Sequence, residues 1–174
     1  MRIFYTFYSL QKYFFIILRQ FYTKDKATKK ITIIINPSKK KIMETTNKTQ
    51  IYNLVILDKS GSMQNIAEAA IAGFNETVSG IRQAQEKFKD TQEHFVSLMV
   101  FCDCEKKMIY DKTPIDKVST LTSKEYTPCC STPLYDAMGL ALNNLRNDIK
   151  DKENATAVVT IITDGMENAS REFT

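Results

Sequence analysis

Ile51–Leu57 (IYNLVIL) is a short, nearly continuous apolar run that stops abruptly at Asp58, after which the chain reads Asp58-Lys59-Ser60-Gly61-Ser62. An apolar run of this length bounded by a turn predicts a strand buried on both faces of a parallel sheet. A second such run, Ala155–Thr163 (ATAVVTIIT), is rich in β-branched residues and also ends at an acid, Asp164. Between them, Ile66, Ala70, Phe74, Val78 and Ile81 recur at spacings of three and four and predict a helix from about Asn65 to Phe88. Leu134, Met138, Ala141, Leu145 and Ile149 predict a second helix from about Pro133 to Asp151, with the proline suited to a first turn. His94–Cys104 (HFVSLMVFCDC) reads as a further buried strand, and Lys106–Asp111 as an antiparallel neighbour across a tight turn. The order strand, helix, strand, strand, helix, strand predicts an α/β fold: a doubly wound, mostly parallel sheet with one antiparallel edge hairpin.

The two ends of the chain differ in composition. Residues 1–42 hold 10 of the 24 Lys+Arg against the single acid Asp25, a balance of +9, so residues 43–174, with 14 basic and 19 acidic side chains, carry −5. The overall charge of +4 therefore gives no footing for a nucleic-acid partner. The first 42 residues also contain 9 of the 18 Phe+Tyr and none of the glycines. Tyr13–Leu18, bracketed by Lys12 and Arg19, is far short of the roughly 20 apolar residues of a transmembrane span. Gln11 and Lys12 interrupt the apolar stretch, and no small-x-small cleavage site of a signal peptide follows. We therefore expect residues 1–42 to be a non-domain segment, translated from AT-rich sequence upstream of a start at Met43 rather than lying on an anionic membrane surface. Residues 43–174 are expected to form the domain.

With no export signal, the expected location is the cytoplasm. Cys102 and Cys104 stand two apart and Cys129 and Cys130 are adjacent, spacings that suggest neither a disulfide framework nor a C-x2-C zinc motif, so buried small hydrophobes are expected.

In open α/β sheets, ligands bind beyond the carboxyl ends of the strands where strand order reverses. Asp58 and Asp164 sit at two such ends. Asp58, Ser60 and Ser62 alternate with a period of two, and Gly61 allows a tight curl. Ser131-Thr132-Pro133 places two more hydroxyls at a helix start, where such residues ordinarily cap backbone amides. Carboxylates and hydroxyls without His or Cys are hard donors that select Mg2+, Mn2+ or Ca2+.

Taken together, LVILDKSGSM, STPLYDAMG and TIITDG resemble a von Willebrand factor type A domain of the bacterial stand-alone form, carrying a metal-ion-dependent adhesion site. The resemblance spans about residues 51–168. It implies that Asp58, Ser60, Ser62, Thr132 and Asp164 hold the metal directly or through water, and that a protein partner supplies an acidic side chain as the last ligand. The chain departs from the family at Cys129-Cys130-Ser131, where a glycine often precedes the threonine, and ends ten residues after Asp164, where the family sheet usually continues. A domain truncated after its fourth strand, with that strand as an open edge, is the corresponding expectation.

The expected activity is thus metal-dependent protein binding, not catalysis. The alternatives are Mg2+-dependent phosphoryl transfer using Asp58, or service as the metal-bearing subunit of an ATP-driven chelatase or stress-response complex. Position 60 is Ser, where haloacid-dehalogenase-like phosphatases carry a second Asp, and no G-x4-G-K-[ST] loop is present. Asp136, one turn after Thr132, is equally suited to orienting a ligand or to stabilising the helix dipole. Glu167 and Asn168 can border the crevice, Lys59 reads as a solvated charge, and His94 has no assigned role.

Overall fold

The computed structural model describes residues 14–22, 29–37 and 48–173, the first two stretches by their backbone alone. The elements run β1 (Phe14–Tyr22), β2 (Lys29–Pro37), β3 (Thr49–Asp58), α1 (Ala67–Lys87), β4 (Gln92–Cys102), β5 (Glu105–Pro114), α2 (Leu134–Ile149) and β6 (Ala155–Thr163). A short 3-10 helix, Gly61–Ile66, leads into α1. The six strands form one sheet in the order β1-β2-β6-β3-β4-β5.

Its centre is the expected α/β arrangement. β3 pairs in parallel with β4 on one side and β6 on the other, while β5 returns antiparallel along β4. Alternate residues of β3 face opposite layers, as the pleat requires. Tyr52, Leu54 and Ile56 pack with Ala137, Ala141, Leu145 and Ile149 of α2. Val55 and Leu57 pack with Ala70, Phe74 and Val78 of α1. The apolar stripes at helical spacing thus cover the two faces of one sheet, α2 on one and α1 on the other.

The outer part differs. β2 pairs antiparallel with β6, from Lys29 opposite Thr163 to Ile35 opposite Ala157, and β1 pairs antiparallel with β2. Residues expected to lie outside any packed element therefore supply two strands, the sheet is mixed rather than mostly parallel, and β6 is not an open edge. The physical reason is the row of unpaired N–H and C=O groups that β6 would otherwise present, a template for any extended segment. KKITIIINP, dominated by β-branched residues, is suited to that conformation. The expectations for residues 1–13, 23–28 and 38–47 lie outside the described residues.

Cysteine placement is a second correction. Cys104, in the turn from β4 to β5, is disulfide-bonded to Cys130, with their Cα atoms 6.3 Å apart. The spacing within each pair had no bearing on this, because the fold brings one member of each together from different loops. Cys102 and Cys129 are free. Cys130 adopts φ 64°, so the loop before α2 makes its left-handed turn without a glycine.

Among the described residues, no helix is long and apolar enough to cross a membrane.

Candidate metal centre

From β3 the chain passes through α1 to β4 on one side, and from β5 through α2 to β6 on the other, so strand order reverses between β3 and β6. Their carboxyl ends are where Asp58 and Asp164 stand, at the crevice that this topology creates. Asp58 is fully buried. Its Oδ1 accepts a hydrogen bond from the Ser60 amide at 2.8 Å, and its Oδ2 accepts one from Thr163 Oγ1 at 2.7 Å. The Tyr126 hydroxyl donates to the Asp58 main-chain carbonyl. Ser60 Oγ and Ser62 Oγ lie 3.2 Å apart. After β6, Gly165 turns the chain with φ 88°, and its amide donates to Thr163 Oγ1 at 3.0 Å.

Three loops are stitched together around these groups. Gly61 N donates to Cys130 O at 2.9 Å, and a Cβ at position 61 would stand 3.3 Å from that same oxygen, so glycine permits the approach. Cys129 N donates to Lys59 O, and Asp103 N to Ser131 O. On the other side, Thr132 N donates to Asn168 Oδ1 at 2.8 Å while Asn168 N donates to Thr132 O at 3.1 Å. Thr132, between the Asp58 loop and the Asp164 loop, is only 2% exposed, and its hydroxyl makes no hydrogen bond among the described residues.

That hydroxyl is not a helix cap, the role such residues ordinarily take at a helix start. Pro133 occupies the N-cap position of α2, and no side chain of the local sequence caps it. The first-turn amides are satisfied from a distance: Tyr135 N donates to Glu167 Oε2 and Ser170 Oγ, and Asp136 N to Ser170 Oγ. Asp136 is likewise resolved in favour of structure. Its carboxylate accepts the amides of Arg171, Glu172 and Phe173 at 2.9 to 3.0 Å and fastens that segment across α2. Burial alone would raise its pKa, but these three donors outweigh it and hold the group below the ordinary carboxylate range.

Asp58 has the opposite balance. Burial raises its pKa, hydrogen bonds from Ser60 and Thr163 oppose this, and repulsion from Asp164 adds to the rise. Burial, with the charges of Asp58 and Asp164, also pushes the Tyr126 phenol upward and keeps it a neutral donor. Lys59 does not answer this negative charge, because its ammonium pairs with Glu105 at 2.8 Å. His94 lies in β4 opposite Ile51, at the other end of the sheet, where burial lowers its pKa.

The donor set thus comprises two carboxylates that repel each other, a hydroxyl pair and a buried unpartnered hydroxyl, all of them oxygen. Such a set fits a hard divalent cation. The sequence reading missed Thr163 and Tyr126, of which only Thr163, adjacent to Asp164, had a signal in its position; Asn168, expected only to border the crevice, instead clamps Thr132. A cleft of about 250 Å3 lined by Met99, Met108, Lys112, Leu145 and Asp148 includes none of the site residues.

Fold and site together define an α/β domain with an oxygen-lined crevice at its topological switch point. No family model and no curated protein matches the chain. Among solved structures it is similar to the pilus adhesin SpaC from Lactobacillus rhamnosus GG in its open conformation. That match has 19% identity and a TM-score of 0.28, and covers 63% of this chain and 13% of that one. Likeness at that level bears on neither fold nor function.

Proposed function

We propose that residues 49–173 form a von Willebrand factor type A domain that binds a protein partner through a divalent cation, Mg2+ or alternatively Mn2+ or Ca2+. Asp58, Ser60, Ser62, Thr132 and Asp164 would hold the cation, and an acidic side chain of the partner would complete the site. The observation that carries this reading is the buried Thr132 hydroxyl, without a hydrogen-bond partner among the described residues, in a loop tied to those of Asp58 and Asp164, two strand-end carboxylates that repel each other. A cation held largely by neutral hydroxyls keeps net positive charge and an open position for an incoming carboxylate. The chain's own residues prepare for this. Tyr126 and Thr163 fix Asp58, and Asn168 fixes Thr132.

Phosphoryl transfer through Asp58 is the poorer reading. Both oxygens of that carboxylate already accept hydrogen bonds in a fully buried position, and the neighbouring lysine is paired elsewhere. A nucleophile must reach its substrate, and one held in this way is not presented to it.

The deciding experiment measures thermal stability and capture of an acidic peptide, each with and without Mg2+ or Mn2+. A ligand that binds only the folded state stabilises it by about 2.7 kcal/mol at 100 times Kd. The wild-type chain should gain stability and retain the peptide only with metal; Thr132→Ala should lose both effects while staying folded. Capture that persists in EDTA, or metal-dependent hydrolysis of a phosphate ester abolished by Asp58→Asn, would overturn the proposal.

A further inference from the structure

Three cysteines, Cys102 and Cys104 near the end of β4 and Cys130 in the loop before α2, converge on one spot, and a fourth, Cys129, adjoins Cys102. Cys102 Sγ and Cys129 Sγ are 3.7 Å apart. Cys104 is bonded to Cys130, and the sulfurs of Cys102, Cys104 and Cys130 all lie within 4.8 Å of one another. We propose that, in the reduced chain, these four thiolates form a tetrahedral site for a soft divalent cation, Zn2+, separate from the hard-cation site at Asp58.

The geometry supports this in three ways. Zinc bound to thiolates at about 2.3 Å in a tetrahedron spaces the sulfurs about 3.8 Å apart. Cys102 and Cys129 already stand at that separation. Cys130 joins the cluster from a left-handed backbone with φ 64°, and Cys129 beside it reaches Cys102, so both neighbours bring sulfur to the β4 end. A cysteine in a conformation that glycine adopts without cost implies that its sulfur is required there. The framework is also held independently of the sulfurs, since Asp103 N donates to Ser131 O at 2.9 Å and Cys129 N to Lys59 O at 2.8 Å. A tetrathiolate zinc centre carries a charge of about −2, and the largely buried Lys59 side chain interacts electrostatically with Cys102 and Cys129.

Loading requires the Cys104–Cys130 bond to open. Two equivalents of a monothiol reductant of the glutathione class supply two electrons and two protons, leaving two cysteine thiols and the oxidised reductant disulfide. Zn2+ then displaces the four thiol protons to solvent as the four Zn–S bonds form. Thiolate donors make the site selective for soft cations, whereas the oxygen donors around Asp58 select hard ones.

The test uses the full chain, reduced with glutathione and titrated with Co2+ as a spectroscopic stand-in and then with Zn2+. The expected result is one tetrahedral Co2+ per chain, counted by its thiolate charge-transfer and visible bands, which one equivalent of Zn2+ bleaches. Cys102→Ser and Cys130→Ser should each weaken Zn2+ binding by at least about 10-fold, while excess Mg2+, a hard cation that thiolates do not hold, leaves the thiolate band unchanged. An octahedral Co2+ spectrum without the thiolate band overturns the proposal, as does a Cys104–Cys130 bond that survives glutathione. Circular dichroism covers the remaining outcomes. If reduction unfolds the chain, refolding on addition of Zn2+ supports the site, and failure to refold counts against it.

Discussion

Asp58 shows how one side chain can be costly to the fold and central to the site. Its folded-state pKa lies above the ordinary value of 3.8, chiefly because it is buried. The folded chain therefore holds the proton to higher pH than the unfolded chain, and in the absence of metal stability falls as pH rises from 3.8 through the folded-state pKa. Asp58→Asn removes that titration, so metal-free melts recorded between about pH 4 and 7 should show a flatter pH profile and higher stability at the upper end. The same variant should lose the gain that Mg2+ confers on the wild type. A wild-type profile that rises over this interval through Asp58 would contradict the burial argument. Thr163→Val removes the donor to Asp58 Oδ2 while keeping the shape of the side chain. A buried acceptor left without its partner costs about 1–3 kcal/mol, which denaturant unfolding of the metal-free protein should detect and saturating Mg2+ should partly restore. The positions of Asp58 and Asp164 at strand ends, and of Ser60, Ser62 and Thr132 in the loops beside them, were legible because these residues sit at fixed offsets from apolar runs. Tyr126 was not, since it projects from an aperiodic loop onto a main-chain carbonyl far away in sequence.

The helices and central strands were legible for a related reason, because burial on two faces imposes a period on α1 and α2 and a continuous apolar run on β3 and β6. What caps α2 was not. Local sequence offered Ser131 and Thr132, but the amides of its first turn are taken by Glu167 and Ser170 from the segment after β6. Such a cap is tertiary, and no spacing rule encodes it. Asp136 completes the clasp, and its depressed pKa fixes its pH dependence. A group of this kind contributes stability above its unfolded value of 3.8 that is lost as pH falls through the lower folded value. Acidification through that interval should release residues 171–173 from α2. Hydrogen exchange at the amides of Arg171, Glu172 and Phe173 should quicken there, and Asp136→Asn should show the faster exchange already at neutral pH. Unchanged protection in the variant would mean that packing of Phe173 near Gly139, rather than the carboxylate, holds the segment.

The sheet taken entire is mixed, and its outer half was hidden from a sequence reading by the basic, aromatic composition of residues 1–42, which drew attention away from the β-branched run in KKITIIINP. Pairing of that run with β6 gives a direct test. A chain beginning at Met43 should keep its central fold but present β6 as an unpaired edge, and such edges associate. Sedimentation should therefore show the shortened chain self-associating as concentration rises while the full chain does not. A shortened chain that stays monomeric would mean that β2 protects nothing. The same pairing also has a consequence for synthesis. Among the described strands β2 is made well before its partner β6, which follows all the others in sequence, so β2 can join the sheet only after the strands between them have been made. The rest of the domain must be translated while it waits, and closing so long a loop is intrinsically slow. Until β6 is made, the nascent chain consequently carries β2 with the edge opposite β1 open, the kind of exposed strand edge that chaperones guard.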